Sequence, residues 1–268
     1  MQSNQLPEQK QDNVLVLLVG LPGTGKTTYC RALARRTPNG IYLEKDVFCD
    51  VLLDGKEYFG KYYNEFVKPK SYQLLLALAR QNLKLNKIVF PDSYFGDKLT
   101  GDLLKDFLVS PDFKTVVIYL HCSGKKQLKR LTDRNAIERD ADKIKNFETH
   151  RVEHILAHLK QLAQIPEEDF LIIDTEDDNF EPNIKKIEHF IHTSKGISKI
   201  IPLDKEFKMT VEDAMLDVEG FKSLLTNIKL LPTPTETNQN HLGLLGVFAS
   251  KNTASTANLA LKLHLDLF

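Results

Sequence analysis

The sequence predicts an α/β fold, a three-layer sandwich in which helices cover both faces of a five-stranded, mainly parallel sheet. Two observations favour this fold class. Short apolar runs alternate with helical patterns from residue 14 to residue 191, and this alternation is typical of parallel strands joined by helices. The first apolar run, residues 14–19, also leads at once into a glycine-rich loop that opens a helical pattern.

The glycine-rich loop has the sequence GLPGTGKTT and runs from Gly20 to Thr28. Its G-x-x-x-x-G-K-T spacing, between a buried strand and a helix, is that of a phosphate-binding P-loop. Glycine allows a tight turn whose backbone N–H groups face phosphate oxygens, and the next helix directs its positive dipole end at the same anion. The predicted nucleotide contacts are Gly20, Gly23, Thr24, Gly25, Lys26, Thr27 and Thr28.

Three side chains of the P-loop have distinct expected roles. Lys26 reaches the β- and γ-phosphates and acts in catalysis, Thr27 places its hydroxyl where Mg²⁺ is coordinated, and Thr28 adds a hydrogen bond to phosphate. The Asn-Lys-x-Asp motif of GTPases is missing, because Asn86-Lys87 is followed by Ile-Val. ATP and Mg²⁺ are therefore the predicted cofactors.

Four further strands complete the predicted sheet, at residues 41–43, 87–90, 115–120 and 170–173. Each is a short apolar run bounded by turn residues, and Pro91 is expected to end the third strand. The predicted helices span residues 29–36, 64–83, 99–109, 125–134, 142–162 and 184–191. Ligands of such sheets lie beyond the carboxyl ends of the strands, so charged residues at those ends form the candidate site.

Two acidic residues follow strands at that edge. Asp46 comes after the second strand, where a carboxylate can accept the proton of an acceptor hydroxyl and align it with the γ-phosphate. Taken alone, Asp46 is equally well interpreted as an N-cap or as the partner of a neighbouring lysine. Asp92 follows the third strand and is predicted to hold a magnesium-bound water, with capping of the next turn as the alternative.

A basic stretch spans residues 125–140, before the helix predicted at 142–162. Nucleotide kinases have a mobile lid at this place. Arg130 is predicted to contact the nucleotide, whereas Arg134 and Arg139 are predicted to neutralise the charge that develops on phosphate oxygens in the transition state. The lysines of the stretch are interpreted as a solvated helix face.

Together these residues resemble the P-loop kinases that include polynucleotide 5′-hydroxyl kinases, zeta-toxin kinases and chloramphenicol phosphotransferase. The resemblance covers residues 13–193. It implies a nucleotide-kinase-like P-loop NTPase fold that binds ATP and magnesium. It also implies that Asp46 is the catalytic base, that Asp92 is the third-strand acid and that Arg134 and Arg139 belong to the lid.

Two positions differ from the polynucleotide kinases of this group. Cys49 stands where those enzymes have an arginine for the substrate phosphate, and Asp92 is followed by Ser-Tyr instead of Thr-Asn. These differences argue against a nucleic-acid acceptor that bears a 3′-phosphate. Aromatic residues after Asp46 are predicted either to stack on a base or sugar of the acceptor or to pack inside the domain. They are Tyr58, Phe59, Tyr62, Tyr63 and Phe66.

Composition and charge narrow the class of protein. The 268 residues include 36 basic and 36 acidic side chains, so no overall field attracts nucleic acid or anionic lipid, although a local basic groove is compatible with this balance. Three cysteines fit neither a disulfide framework nor a zinc site. Residues 1–12 are predicted to be a flexible N-terminus without a signal peptide, and no stretch has the length of a membrane span. We expect a cytoplasmic protein.

The kinase domain is predicted to span residues 13–195, with a C-terminal α+β extension of unknown role at residues 196–268. The extension has a helical pattern at 210–229 and strand patterns at 241–249 and 259–268. The predicted function is an ATP- and Mg²⁺-dependent kinase that phosphorylates a hydroxyl of a small-molecule, nucleotide-like or polynucleotide 5′-OH acceptor. The alternative is a nucleotide-dependent switch or binding module whose C-terminal region contacts a protein partner.

Overall fold

The computed structural model of the chain describes residues 13–201, apart from residues 57, 59, 97–98, 134–146 and 179. The predictions for residues 1–12, for Arg134 and Arg139, and for the helix and strands of the C-terminal extension therefore lie outside the described residues. Among the described residues, no helix combines the length and the apolar content needed to cross a bilayer.

The described strands form one five-stranded sheet in the order β2-β3-β1-β4-β5. The strands are β1 Val14–Gly20, β2 Gly40–Glu44, β3 Ile88–Asp92, β4 Lys114–His121 and β5 Phe170–Asp174. The central strand is β1, in which Val14 pairs with Ile88 of β3 on one side and with Lys114 of β4 on the other. All neighbouring strands are parallel, which confirms the predicted α/β fold class.

Helices follow the strands along the chain. They are α1 Lys26–Arg36, α2 Lys45–Leu53, α3 Gly60–Tyr62, α4 Lys68–Leu83, α5 Asp102–Leu108, α6 Gly124–Asp133, α7 Phe147–Leu162 and α8 Phe180–Thr193. A π-helical turn, Tyr63–Val67, joins α3 to α4, and a 3₁₀ turn, Glu167–Asp169, precedes β5. The six helices predicted between residues 29 and 191 are present among the described residues, with shifts at their ends.

Two apolar layers fill the space between the sheet and the helices, because successive side chains of a strand point to opposite faces. On one face, Leu15 and Leu17 of β1 pack with α4, α5 and α7. On the other face, Val16 and Leu18 pack with α1 and α8. These four side chains are at most 1% exposed. The continuous apolar sequence of β1 therefore reflects a strand covered on both faces, as in a three-layer sandwich.

The predicted end of the third strand was wrong. Strand β3 continues through Pro91 to Asp92, and Pro91 pairs with Leu43 of β2. The pairing of β3 with β1 extends only to Val89. Pro91 therefore has a paired strand on one side only, a position at which a missing N–H is tolerated. This extension makes Asp92 part of the sheet edge.

Beyond α8 the chain returns to the sheet. The N–H of Ile197 donates to the carbonyl of Thr115 over 2.9 Å, and the Ile197 side chain is buried. The N–H of Ile201 donates to the carbonyl of Gln164 over 2.8 Å, just after α7. Packed structure thus continues past residue 195, and the domain boundary placed there stays a prediction.

Candidate phosphoryl-transfer site

The P-loop conformation depends on its glycines. Gly20, Gly23 and Gly25 have φ angles of 151°, 84° and 93°, values that residues with a side chain rarely adopt. A Cβ at Gly20 would lie 2.5 Å from the carbonyl oxygen of Leu120, and a Cβ at Gly23 would lie 2.8 Å from that of Gln127. The loop is therefore held directly against the end of β4 and against α6.

Helix α1 begins at Lys26 with an open N-terminus. Its N-cap is Gly25, which has no side chain to cap the helix, and the first turn has no acidic residue. Its first N–H groups thus suit an anionic ligand. Nζ of Lys26 donates to the carbonyl oxygens of Gly20 and Leu21, each over 2.8 Å. The ammonium group is consequently held over the loop, where a phosphate would become its partner.

Asp92 lies at the carboxyl edge of β3, the strand next to β1. Its side chain is buried, and Oδ2 accepts a hydrogen bond of 2.9 Å from the hydroxyl of Tyr42. Burial and the Asp92 carboxylate raise the pKa of Tyr42 well above its ordinary value, so the phenol stays a donor. Carboxylate and hydroxyl oxygens are the hard ligands that Mg²⁺ prefers. Asp92 and the half-buried Thr27 therefore fit a magnesium ion chemically.

Arg31 of α1 connects the hydrogen-bonded pair of Tyr42 and Asp92 to the end of β2. Its Nε donates to the hydroxyl of Tyr42 over 3.2 Å, and its Nη2 forms an ion pair of 2.8 Å with Oε2 of Glu44. Glu44 is the last residue of β2 and immediately precedes α2. The network fixes the end of β2 against α1, and so fixes the start of the helix that contains Asp46.

The charges of Lys26 and Asp92 both act on the buried thiol of Cys30. Burial raises the pKa of Cys30, the Asp92 carboxylate raises it further, and the Lys26 ammonium opposes both. Two opposite charges therefore act on one fully buried sulfur atom of α1. The P-loop lysine and the third-strand acid thus both influence this residue of α1, and the strands that precede them, β1 and β3, are neighbours in the sheet.

Asp46 lies in the first turn of α2, a helix that the sequence patterns did not predict. Nζ of Lys45 is 3.1 Å from Oδ1 of Asp46, so the ion pair with a neighbouring lysine is present. The N-cap of α2 is Glu44, which makes no side-chain cap bond. With neither a capping residue nor a clear apolar period, α2 gave no helix signal.

Lys45 is a site residue that the sequence interpretation missed. Its side chain is only 10% exposed. Besides its ion pair, Nζ donates to Sγ of Cys49 over 3.2 Å and lies 5.6 Å from the ring centre of Tyr72. Burial lowers the pKa of Lys45, but Asp46, Tyr63 and Cys49 together raise it by more. The net shift is upward, so the ammonium stays charged. In the sequence, the position of Lys45 between a strand end and Asp46 was the signal that could have identified it as a site residue.

Arg130 fastens the P-loop to the loop that follows β5. Its Nη2 donates to the carbonyl of Thr175 over 2.8 Å, and its Nη1 donates to the carbonyl of Gly23 over 3.3 Å. Nη2 also forms an ion pair of 3.2 Å with Asp178. The hydroxyl of Thr175 donates to the carbonyl of Thr24, again in the P-loop, over 3.1 Å. We call this set of contacts the Arg130 clasp. It places the guanidinium beside the P-loop, while the predicted contact with a nucleotide stays a prediction.

The aromatic residues after α2 occupy two environments. Tyr62 and Phe66 stack with ring centres 5.4 Å apart and are 43% and 48% exposed. Tyr58 and Tyr63 are half-buried, with ring centres 5.7 Å apart. Tyr62 and Phe66 are therefore not packed inside the domain, and their rings are accessible for stacking. Phe59 lies outside the described residues.

The model of a protein family described as an AAA domain matches residues 15–162 of this chain, which is more than half of its 268 residues. No curated protein matches the chain in sequence.

Several solved structures are similar to the chain. A candidate kinase from Chloroflexus aurantiacus is 18% identical with a TM-score of 0.47, over 68% of this chain and 97% of that one. Shikimate kinase from Acinetobacter baumannii is 21% identical with a TM-score of 0.43, over 68% and 94%. A chain of the Pnkp1/Rnl/Hen1 complex is 23% identical with a TM-score of 0.33, over 44% and 39%. These likenesses do not bear on the acceptor.

Proposed function

The chain belongs to the AAA domain family, and on that premise we propose that it is an ATP- and Mg²⁺-dependent kinase. It transfers the γ-phosphoryl group to a hydroxyl of a small-molecule, nucleotide-like or polynucleotide 5′-OH acceptor. One observation carries the proposal. The P-loop, Asp92 and Asp46 lie at the carboxyl ends of β1, β3 and β2, three adjacent strands of one parallel sheet. Their carboxyl ends face the same side, where ligands of such sheets bind.

The division of labour follows from the position of each group. The P-loop N–H groups and Lys26 hold the phosphates and offset the negative charge that spreads over their oxygens during transfer. Thr27 and Asp92 are the residues that would hold Mg²⁺, which supplies further charge neutralisation when bound. Arg134 and Arg139, which lie outside the described residues, are proposed to contact the same phosphates.

Asp46 is proposed as the base that aligns the acceptor hydroxyl. Two strand spacings separate β2 from β1 in the sheet order, which is roughly 10 Å. A separation of that order between the ends of β2 and β1 is compatible with an acceptor bound between Asp46 and the terminal phosphate. Lys45 restricts the Asp46 carboxylate through their contact of 3.1 Å, and a restricted base loses less orientation entropy in the transition state.

The first experiment incubates the protein with γ-labelled ATP and pooled sugars, nucleosides, nucleotides and 5′-hydroxyl oligonucleotides. The expected result is label on an alcohol group of one acceptor class. Lys26→Met is expected to reduce transfer by orders of magnitude while circular dichroism still indicates a folded chain. Label only in free phosphate or on the protein itself would overturn the kinase proposal and favour a nucleotide-dependent switch. Full activity of Lys26→Met would also contradict it.

The second experiment separates chemistry from nucleotide binding. Asp46→Asn is expected to reduce transfer by roughly 10²–10⁴-fold while MgATP affinity stays nearly unchanged, because a positioned base acts on the acceptor and not on the nucleotide. Asp50→Asn is the matched control, since Asp50 is exposed on the same helix. Equal activity of the two variants would contradict the proposed role of Asp46 as the base.

A further inference from the structure

The ends of β2 and β3 place two carboxylates side by side. In the register of the two strands, Glu44 of β2 pairs with Asp92 of β3, and paired residues of neighbouring strands point to the same face of a sheet. Neighbouring strands lie roughly 4.8 Å apart, and like charges repel each other at such a separation. The fold therefore needs groups that offset this repulsion.

The two carboxylates have different partners. Oε2 of Glu44 forms an ion pair of 2.8 Å with the guanidinium of Arg31, so a cation offsets its charge. Oδ2 of Asp92 accepts a hydrogen bond of 2.9 Å from the hydroxyl of Tyr42, which is a neutral donor. Within the part of the chain that the structure describes, no cationic side chain forms an ion pair with Asp92. A buried charge is costly without an opposite charge, so Asp92 suits a bound cation and Glu44 does not.

The hydroxyl of Tyr42 has a fixed direction. Nε of Arg31 donates to it over 3.2 Å, and a guanidinium has donors only. The hydroxyl is therefore the acceptor in that contact, which leaves its own hydrogen for Asp92. The guanidinium also lies 5.4 Å from the centre of the Tyr42 ring, and the ring packs against the apolar layer that includes α1. Both the ring and the hydroxyl of Tyr42 are thus held in place.

We propose that Tyr42 is a positioning residue for magnesium and that it acts through Asp92. Its hydroxyl restricts rotation of the Asp92 carboxylate through Oδ2. Among the described residues no group donates to Oδ1, so this oxygen stays available to magnesium or to a magnesium-bound water. Hydrogen-bond donors of this kind orient the carboxylates of metal sites. This inference rests on the proposed function, since it concerns the magnesium site of that same reaction.

A neutral donor suits this task better than a cation. A lysine or arginine in the place of Tyr42 would orient the carboxylate equally well, but it would also cancel the charge that attracts Mg²⁺. Arg31 lies near enough to contact the Tyr42 hydroxyl, yet its ion pair is with Glu44. The four side chains therefore separate the two tasks, since Arg31 offsets the charge of Glu44 while Tyr42 orients Asp92 and leaves its charge intact.

Calorimetry with a non-hydrolysable ATP analogue measures the effect. The analogue is titrated into the full chain in EDTA and in saturating MgCl₂, and the ratio of the two affinities, which we call the magnesium ratio, reports the contribution of the metal. Tyr42→Phe keeps the ring and removes the hydroxyl. We expect its affinity in EDTA to equal that of the wild type, because the P-loop is unchanged. We expect its magnesium ratio to fall about tenfold, since loss of a donor to a metal ligand weakens metal binding by roughly 10–100-fold.

Helix α1 offers matched controls. Tyr29→Phe removes the hydroxyl of another tyrosine that packs in the same apolar layer, but that hydroxyl accepts from Asn183, so the magnesium ratio should not change. Arg31→Met removes the donor to Tyr42 and is expected to lower the ratio by a smaller factor. Arg36→Met, at an arginine of α1 that pairs with a different glutamate, should leave it unchanged. Should Tyr42→Phe not fold, the comparison of Arg31→Met with Arg36→Met carries the test.

A double variant separates positioning from a general structural effect. Asp92→Asn removes the charged ligand and is expected to reduce the magnesium ratio more than Tyr42→Phe does. Adding Tyr42→Phe to Asp92→Asn should reduce the ratio no further, because the hydroxyl acts through a carboxylate that is already absent. A purely structural role of Tyr42 would instead weaken binding in EDTA and in MgCl₂ alike.

The inference is overturned if MgCl₂ does not change the affinity of the wild type, if Tyr42→Phe keeps the wild-type ratio, or if Tyr29→Phe lowers the ratio equally. Failure of the proposed function gives a different result. A magnesium ratio that depends on Tyr42, without transfer of label from ATP to any acceptor, would reject the kinase and support the positioning role. Magnesium-dependent transfer with a ratio that Tyr42→Phe leaves unchanged would support the kinase and reject the positioning role.

Discussion

Acid should destabilise this fold through His158. Burial, with smaller contributions from the Lys26 and His154 charges, lowers the pKa of His158 from 6.5 to about 3. Between these values the unfolded chain binds a proton that the folded chain does not. The neutral His158 therefore costs no stability above pH 6.5. As the pH falls from 6.5 toward 3, the free energy of unfolding decreases progressively. At pH 5 the expected loss is about 2 kcal/mol, since each pH unit below 6.5 costs about 1.4 kcal/mol.

The measurement is the free energy of unfolding by urea at pH 7.5 and at pH 5, for the wild type, His158→Gln and His192→Gln. The His192 variant is the control, because it removes an exposed imidazole. Wild type and control should lose about 2 kcal/mol more than His158→Gln between the two pH values. If the free energy of unfolding falls equally in all three proteins between pH 7.5 and pH 5, His158 is not held neutral in the folded state.

Two further predictions concern the P-loop. Arg130→Met removes the clasp and should lower the free energy of unfolding by about 1–3 kcal/mol and weaken MgATP binding in calorimetry. Lys129→Met, at an exposed neighbour whose ion pair is with Asp133 of the same helix, should do neither, and equal effects would refute the clasp. Gly20→Ala should destabilise more than Gly55→Ala in urea unfolding. Both positions have positive φ angles, but only at Gly20 does a Cβ meet backbone within 4 Å.

The sheet was predictable because its signals are local. Each strand is a short apolar run, and β1 is apolar throughout since α1 and α8 cover one face and α4, α5 and α7 the other. The glycine motif placed the loop between β1 and α1 without any knowledge of tertiary contacts. The end of β3 could not be found in this way. Proline is a general signal for the end of a strand, and only the sheet order shows that Pro91 has a single paired neighbour.

The site was predictable only in part, because several of its groups are defined by contacts between distant segments. Tyr42 donates to Asp92 across 50 positions of sequence, and Arg130 donates to Gly23 across 107. Neither contact has a spacing that a motif could reveal. Arg130 was selected for its charge within a basic stretch, but its described contacts are with the protein itself. The buried side chains of Arg151 and His158 lay inside a segment whose sequence predicts simply a long helix.

Net charge is equally uninformative about the site. Equal numbers of basic and acidic residues indicated no overall field for nucleic acid or anionic lipid and left a local basic groove open, because net charge weights exposed and buried groups alike. Lys45 and Arg151 are both buried cations, and they lie near the carboxyl edge, one at the start of α2 and the other against the start of α6. A buried charge is costly unless an opposite charge accompanies it. Lys45 has Asp46 as its partner. The electrostatics of the site therefore depend on which buried charges are paired locally, and an equal count of basic and acidic residues does not report that pairing.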